Sequence, residues 1–176
     1  NVRYLTGFTG SAGAVLILPE SQHFFSDTRY DEQSRKQITN CEVHMITTGY
    51  EDTIKVLKLI STGLKLGFES QHVSVSSFDR INSLLSNAKW EKTEQLVEII
   101  AAVKDEKEIN SLKSAIQVTD KVFDQILPEL KIGAIESNIA AKISYLFKIN
   151  GAEGDSYDPI IASGWRGALP HATPTD

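Results

Sequence analysis

The residues with the clearest chemical potential lie close together near the end of the chain. His171 follows Pro170 directly, and Pro174 comes three residues later. Because proline fixes its own backbone angle and cannot continue a helix, this histidine is predicted to lie on an ordered loop. An imidazole titrates near neutral pH and can donate or accept a proton. His171 is therefore the first candidate for a binding or catalytic group.

The residues before the histidine are predicted to position it. Residues 160–162 form a short apolar run that predicts a strand. Gly164 and Gly167 flank Trp165 and Arg166, so the chain is expected to turn sharply while both large side chains project. A packed tryptophan beside a solvated arginine is an equally good interpretation of this pair.

The same stretch resembles a known family of enzymes, the pita-bread metallopeptidases that act at proline, which include the Xaa-Pro aminopeptidases and the prolidases. Four short blocks occur in the family's order: Gly-Ala-Glu at 151–153, Ser-Tyr-Asp at 156–158, Ala-Ser-Gly at 162–164 and Ala-Leu-Pro-His at 168–171. Earlier in the chain, residues 1–11 and 26–30 resemble the family's amino-terminal domain. Residues 104–109 resemble the start of its catalytic domain. The resemblance covers essentially the whole chain.

The resemblance implies an α/β protein with two domains. Residues 1–97 would form a creatinase/prolidase-like amino-terminal α/β domain that lacks its opening strand. Residues 98–176 would form the first part of a pita-bread (α+β) catalytic domain. The chain is accordingly expected to be a piece of a longer protein, and the piece alone is expected to be inactive.

Hydrophobic patterning supports an α/β layer followed by a helical region. Strands are predicted at 14–18, 23–25, 42–46 and 65–69, with helices from about Tyr30 and at 52–60 and 76–85. Residues 90–98 are interpreted as the junction. After it, an apolar face is predicted on a helix from Ile109 to Ile126 that Pro128 ends, and a second helix is predicted to stop at Asn150 and Gly151.

The resemblance also implies an activity: hydrolysis of the bond between an amino-terminal residue and proline, by hydroxide bound to two divalent metal ions, manganese foremost. None of the family's five metal ligands has a counterpart here, so those ligands are expected after Asp176. His171 matches a family histidine that binds the substrate and donates a hydrogen bond near the scissile bond, as one wall of a cleft. Trp165 and Arg166 would line the substrate entrance.

Two alternatives stay open beside the aminopeptidase. The first is a prolidase that cleaves Xaa-Pro dipeptides. The second is a pita-bread module that has lost its metal ligands and only binds peptides. Family members are commonly dimers through the amino-terminal domain, so a homodimer is expected.

Composition narrows the possible partners and the compartment. The net charge is −5 without a basic stripe, which argues against nucleic acid. The single cysteine, Cys41, allows no internal disulfide and favours the cytoplasm. No apolar run has the length of a membrane span. The four histidines show no close zinc-ligand spacing, and the glycines at 7, 10 and 13 precede a strand, so they do not predict a dinucleotide-binding loop.

Overall fold

Two separate sheets form the framework of the first hundred residues in a computed structural model that describes residues 1–176. The structure divides into two units, Asn1–Val103 and Lys104–Asp176. The predicted domain boundary lies after residue 97, whereas the division in the structure lies after Val103. The helices are α1 (Val2–Thr6), α2 (Asp31–Gln37), α3 (Tyr50–Val56), α4 (Val75–Leu84), α5 (Leu96–Ala102), α6 (Glu106–Ile126) and α7 (Glu136–Ile149). The strands are β1 (Ala14–Ile17), β2 (Gln22–Asp27), β3 (Glu42–Ile46), β4 (Lys65–Glu69) and β5 (Lys89–Thr93).

The first sheet has the order β1-β2-β3, with β2 in the middle. β1 and β2 are antiparallel, whereas β2 and β3 are parallel. Successive side chains of a strand point to opposite faces, so neighbouring Phe24 and Phe25 enter different clusters. Phe24 packs with Phe8 and Ile38. Phe25 joins the larger cluster, whose other buried members are Ile54, Ile60, Leu66, Ile81 and Leu85.

The second sheet corrects the predicted junction at 90–98. Residues 89–93 form β5, which pairs in parallel with β4, and α5 follows. The segment reads Lys-Trp-Glu-Lys-Thr, so only Trp90 supplies an apolar signal among charged neighbours. A strand with so little apolar content on either face gives no alternation for a sequence reading to detect.

The second unit is built on helices α6 and α7. Val122 and Ile126 of α6 pack against Ile139 and Leu146 of α7. Asp105 caps α6 in a reciprocal arrangement with Glu108, in which each side chain accepts a hydrogen bond from the other residue's backbone N–H. Helix α7 ends before Gly151, whose φ of 95° lies in the left-handed region favoured by glycine. The predicted ends of both helices are confirmed.

The predicted apolar face of α6 is buried only at its carboxyl end. Ile109, Leu112, Ile116 and Phe123 all lie exposed. The α7 helix is shorter than α6, and the residues that α6 contributes to the cluster with α7 lie between Val118 and Ile126. None of the helices is both long and apolar enough to cross a membrane.

The strand predicted at 160–162 is absent. These residues are irregular and lead into a turn of 3₁₀ helix at Gly164–Ala168. A strand needs a neighbour to satisfy its backbone groups, and no strand exists in the second unit. Ile161 instead packs against the α6–α7 cluster. The backbone N–H of Ser163 donates to a glutamate side chain.

Candidate active-site loop

The candidate site is the loop from Ser163 to Thr175, which carries all three predicted site residues. His171 lies exposed in a turn that follows the 3₁₀ helix. The next residue, Ala172, is buried and fixes the turn against the unit. The proline before the histidine restricts the backbone further. The ordered loop predicted around His171 is thus present, although no strand leads into it.

Glu136, the first residue of α7, holds the near end of this loop. Its side chain is buried, with 7% of the residue exposed. One carboxylate oxygen, Oε1, accepts hydrogen bonds from both the backbone N–H and the hydroxyl of Ser163, at 2.7 and 2.8 Å. These bonds fix the point where the chain enters the 3₁₀ helix.

The other carboxylate oxygen of Glu136 holds the far end of the loop. Oε2 accepts from the backbone N–H of Thr175 at 3.2 Å and from its hydroxyl at 3.1 Å. The Nε of Arg166 lies 3.4 Å from the same oxygen. The backbone N–H of Ser137 donates to the Thr175 carbonyl, which ties the loop to α7 a second time. A single carboxylate therefore clamps both ends of the loop that carries His171.

These hydrogen bonds lower the pKa of Glu136 from 4.5 to about 2. The largest cause is the bond from the Ser163 hydroxyl; burial opposes it, and the backbone N–H groups of Ser163 and Thr175 add to the lowering. A carboxylate that accepts several hydrogen bonds is stabilised in its charged form. Glu136 is consequently ionised whenever the protein is near neutral pH.

Trp165 and Arg166 are neighbours in the sequence but differ in their contacts and exposure. Arg166 donates from Nη2 to the carbonyl of Thr173 at 2.6 Å while its Nε reaches Glu136, and only 26% of its side chain is exposed. It is an internal brace of the loop, and the expectation of a solvated, projecting arginine is wrong. Trp165 is 78% exposed and does project, as predicted from the flanking glycines.

The second unit contains no group of three side chains that could hold a metal ion. The residues of this chain therefore do not fit the dinuclear metal centre that the family resemblance implies. One surface depression lies beside Glu69 and His72 and another beside Ile54 and Leu85; both are lined by residues of the first unit, and neither includes His171. The histidine in this chain faces solvent, and the predicted cleft wall stays a prediction.

Sequence reasoning missed Glu136. Its partners lie 27 and 39 residues further along the chain, and no local motif links them. It also missed a second cluster, made by His23, Glu42 and His44 in the first sheet. The spacing Glu-x-His at 42–44 is the one available signal, because alternate residues of a strand share a face.

The chain thus has an α/β unit with two small sheets, followed by a helical unit with a clamped histidine loop. Both units are similar to known protein families. Residues 1–103 match the creatinase/prolidase N-terminal domain, and residues 110–176 match metallopeptidase family M24. The chain belongs to the creatinase/prolidase N-terminal domain family, and its residues after this domain are similar to the M24 metallopeptidases.

Individual relatives agree with this assignment. The chain is 34% identical over its full length to the uncharacterized peptidase YqhT of Bacillus subtilis, of which it covers 50%. Among solved structures, the Xaa-Pro dipeptidase from Bacillus anthracis is 34% identical with a TM-score of 0.85, and the match covers 98% of this chain and 48% of that one. The X-Pro aminopeptidase from Thermotoga maritima is 35% identical with a TM-score of 0.84, covering 99% and 49%. The chain spans about half the length of these relatives.

Proposed function

We propose that this chain is part of an Xaa-Pro aminopeptidase, which releases the amino-terminal residue from peptides with proline at the second position. The observation that carries the proposal is the match of 99% of the chain, through both units, to an X-Pro aminopeptidase structure. The clamped loop supports it, because a substrate-binding group must be held in a fixed position. The two divalent metal ions, manganese foremost, would be bound by residues outside this chain.

His171 is the proposed substrate-binding residue. As an exposed imidazole on a braced turn, it would donate a hydrogen bond to the peptide or to the charge that develops in the transition state. Trp165 is the better candidate for lining the substrate entrance, since its side chain is exposed. Arg166 would act indirectly, by keeping the loop in shape. We further propose a homodimer and a cytoplasmic location.

A prolidase is the second candidate, because the similar Bacillus anthracis protein is named an Xaa-Pro dipeptidase. The two activities differ in whether the substrate ends at proline. A dipeptide places its free carboxylate next to the proline, whereas a longer peptide continues the chain past that point.

The experiment is a hydrolysis assay of the natural protein at its full length, supplied with Mn²⁺. An Xaa-Pro dipeptide and an Xaa-Pro-Xaa tripeptide with the same first residue are compared, and a peptide with alanine in place of proline serves as the control. We expect the tripeptide to have the higher kcat/KM and the alanine peptide to resist. Cleavage of the dipeptide alone would establish the prolidase instead, and binding without cleavage would establish the non-catalytic module.

A further inference from the structure

Three side chains with metal-ligating atoms meet on one face of the first sheet. His23 lies on β2, and Glu42 and His44 lie on the parallel neighbour β3. His23 is the register partner of Glu42, and Phe25 is the register partner of His44. Because alternate residues of a strand share a face, this register places both histidines and the glutamate side by side.

The three atoms form a small triangle. His23 Nδ1 lies 3.1 Å from His44 Nε2, and Glu42 Oε2 lies 3.4 Å from the former and 3.8 Å from the latter. A point about 2.1 Å from each of the three atoms, a usual length for a bond from zinc to nitrogen or oxygen, lies about 0.6 Å out of their plane, which leaves room for a fourth ligand. In a tetrahedral zinc site the ligand atoms stand about 3.3–3.6 Å apart, as those bond lengths require.

We propose that His23, Glu42 and His44 bind one Zn²⁺ ion, with a fourth position open to water. Two imidazoles and a carboxylate are a ligand set that zinc uses, whereas Mg²⁺ and Ca²⁺ prefer oxygen ligands. The site lies in the first unit and shares no residue with the His171 loop.

The residues around the cluster hold the two histidine rings in place and leave the glutamate open to solvent. The other ring nitrogen of His23, Nε2, is 2.9 Å from the Ser21 hydroxyl, an outer contact of the kind that orients a ligating histidine. The His44 ring stacks on Phe25 with a centroid distance of 5.1 Å. His23 is only 3% exposed, so its ring is fixed in the sheet. Glu42 is 69% exposed, which gives an ion a route from solvent.

The protonation chemistry is also compatible with an ion. In the metal-free protein, the contact between His23 Nδ1 and His44 Nε2 is a hydrogen bond, in which one of these nitrogens carries the hydrogen and the other accepts it. To bind Zn²⁺ through these two nitrogens, each neutral ring would carry its single proton on its other nitrogen, so the donating ring would change tautomer and no ring would be left anionic. Metal binds the neutral form of an imidazole.

The experiment is a metal titration of the 176-residue chain after dialysis against a chelator. Zn²⁺ binding is followed by calorimetry, and Co²⁺ serves as an optical probe because tetrahedral Co²⁺ absorbs visible light far more strongly than octahedral Co²⁺. We expect one ion per chain and a tetrahedral spectrum. No other group of three possible ligands exists in the chain, so both signals would report this site.

Four variants test the ligand assignment, each checked for folding by circular dichroism. Glu42→Gln and His44→Gln should each weaken Zn²⁺ binding by more than about 100-fold, since loss of an outer-shell contact alone costs about 10–100-fold. Ser21→Ala should fall within that smaller range. His72→Gln is the matched control, because this exposed histidine lies beside Glu98, which is not part of the cluster.

Three results would each overturn the proposal. An octahedral Co²⁺ spectrum, a failure to bind Zn²⁺, or an affinity that Glu42→Gln leaves unchanged would each exclude the site. Glu42 decides the test if His44→Gln fails to fold, since an exposed strand residue tolerates a glutamine of the same size. Equal loss of binding in His72→Gln would show that surface histidines bind the metal without specificity.

Discussion

Glu136 is the residue on which the geometry of the candidate loop depends. Its two carboxylate oxygens accept five polar contacts, from Ser163, Thr175 and Arg166, across a loop that contains His171. All five are donors, so only a group with two accepting oxygens satisfies them. A glutamine in this position would turn one accepting oxygen into a donating amide.

Glu136→Gln should therefore loosen the loop and make the stability of the second unit less sensitive to low pH. A carboxylate whose folded pKa is lowered contributes stability that is complete above its ordinary value of 4.5 and is lost as the pH falls towards 2. We expect the urea concentration at the wild-type unfolding midpoint to decrease as the pH is lowered from about 5 to about 2. In Glu136→Gln the urea midpoint should already be lower at neutral pH and should decrease less on acidification.

The control for this experiment is Glu129→Gln, which changes an exposed glutamate of the same unit. It should keep the wild-type pH dependence. Amide hydrogen exchange supplies the local readout, with faster exchange expected at Ser163 and Thr175 in Glu136→Gln only. If exchange at these two amides stayed slow in the variant, the clamp would have no part in holding the loop.

At the scale of the element, the start of α6 illustrates how a local motif defines a helix. Asp105 accepts from the backbone N–H of Glu108 at 2.8 Å, and the Glu108 side chain accepts from the backbone N–H of Asp105 at 2.8 Å. These bonds satisfy two backbone donors, one of them among the unpaired groups of the helix's first turn.

Asp105→Ala should lower the free energy of unfolding of the second unit by about 1 kcal/mol, the usual cost of losing a helix cap. Asp105→Asn keeps an accepting oxygen and should remain close to wild type. Chemical denaturation of both variants at neutral pH measures the difference. An alanine variant as stable as the asparagine variant would show that the helix start is held by packing alone.

The elements that could be predicted from sequence are those with a strong local pattern. Residues 14–18 and 42–46 are apolar enough to be recognised as strands, and α7 was delimited by its apolar spacing and by Gly151. The strand β5 was missed because it is mostly charged. Residues 160–162 show the opposite error, since an apolar run became a loop once no strand was there to pair with it.

The candidate site was only partly predictable for a related reason. His171 and its ordered turn follow from prolines that stand beside it in the sequence. Glu136 and the cluster around His23 depend on contacts between distant segments. Neither the register of β2 against β3 nor the path of the loop over α7 is encoded in any short stretch of residues.

At the scale of the whole molecule, each unit has its own buried cluster. Phe25, Ile54 and Ile81 belong to the first unit, whereas Val122 and Leu146 belong to the second. The match of residues 1–103 to one domain family and of residues 110–176 to another follows the same division.

Ile81→Ala should consequently destabilise the first unit by about 2–5 kcal/mol, because it leaves a cavity in that cluster. Amides in the helical core of the second unit should keep their hydrogen-exchange protection. Val75→Ala, on an exposed position of the same helix α4, is the control and should change stability by less than about 0.5 kcal/mol. Equal loss of protection in both units would mean that they unfold as one.

We propose that a glutamate-clamped loop presents His171 to a peptide with proline at its second position. Steady-state kinetics of the full-length protein with His171→Ala, on an Xaa-Pro-Xaa peptide, tests it most directly. We expect kcat to fall by about 100-fold or more, as for the loss of a hydrogen-bond donor to the transition state, while Glu129→Gln stays at the wild-type rate. An unchanged kcat/KM in His171→Ala would show that this histidine does not bind the substrate during catalysis.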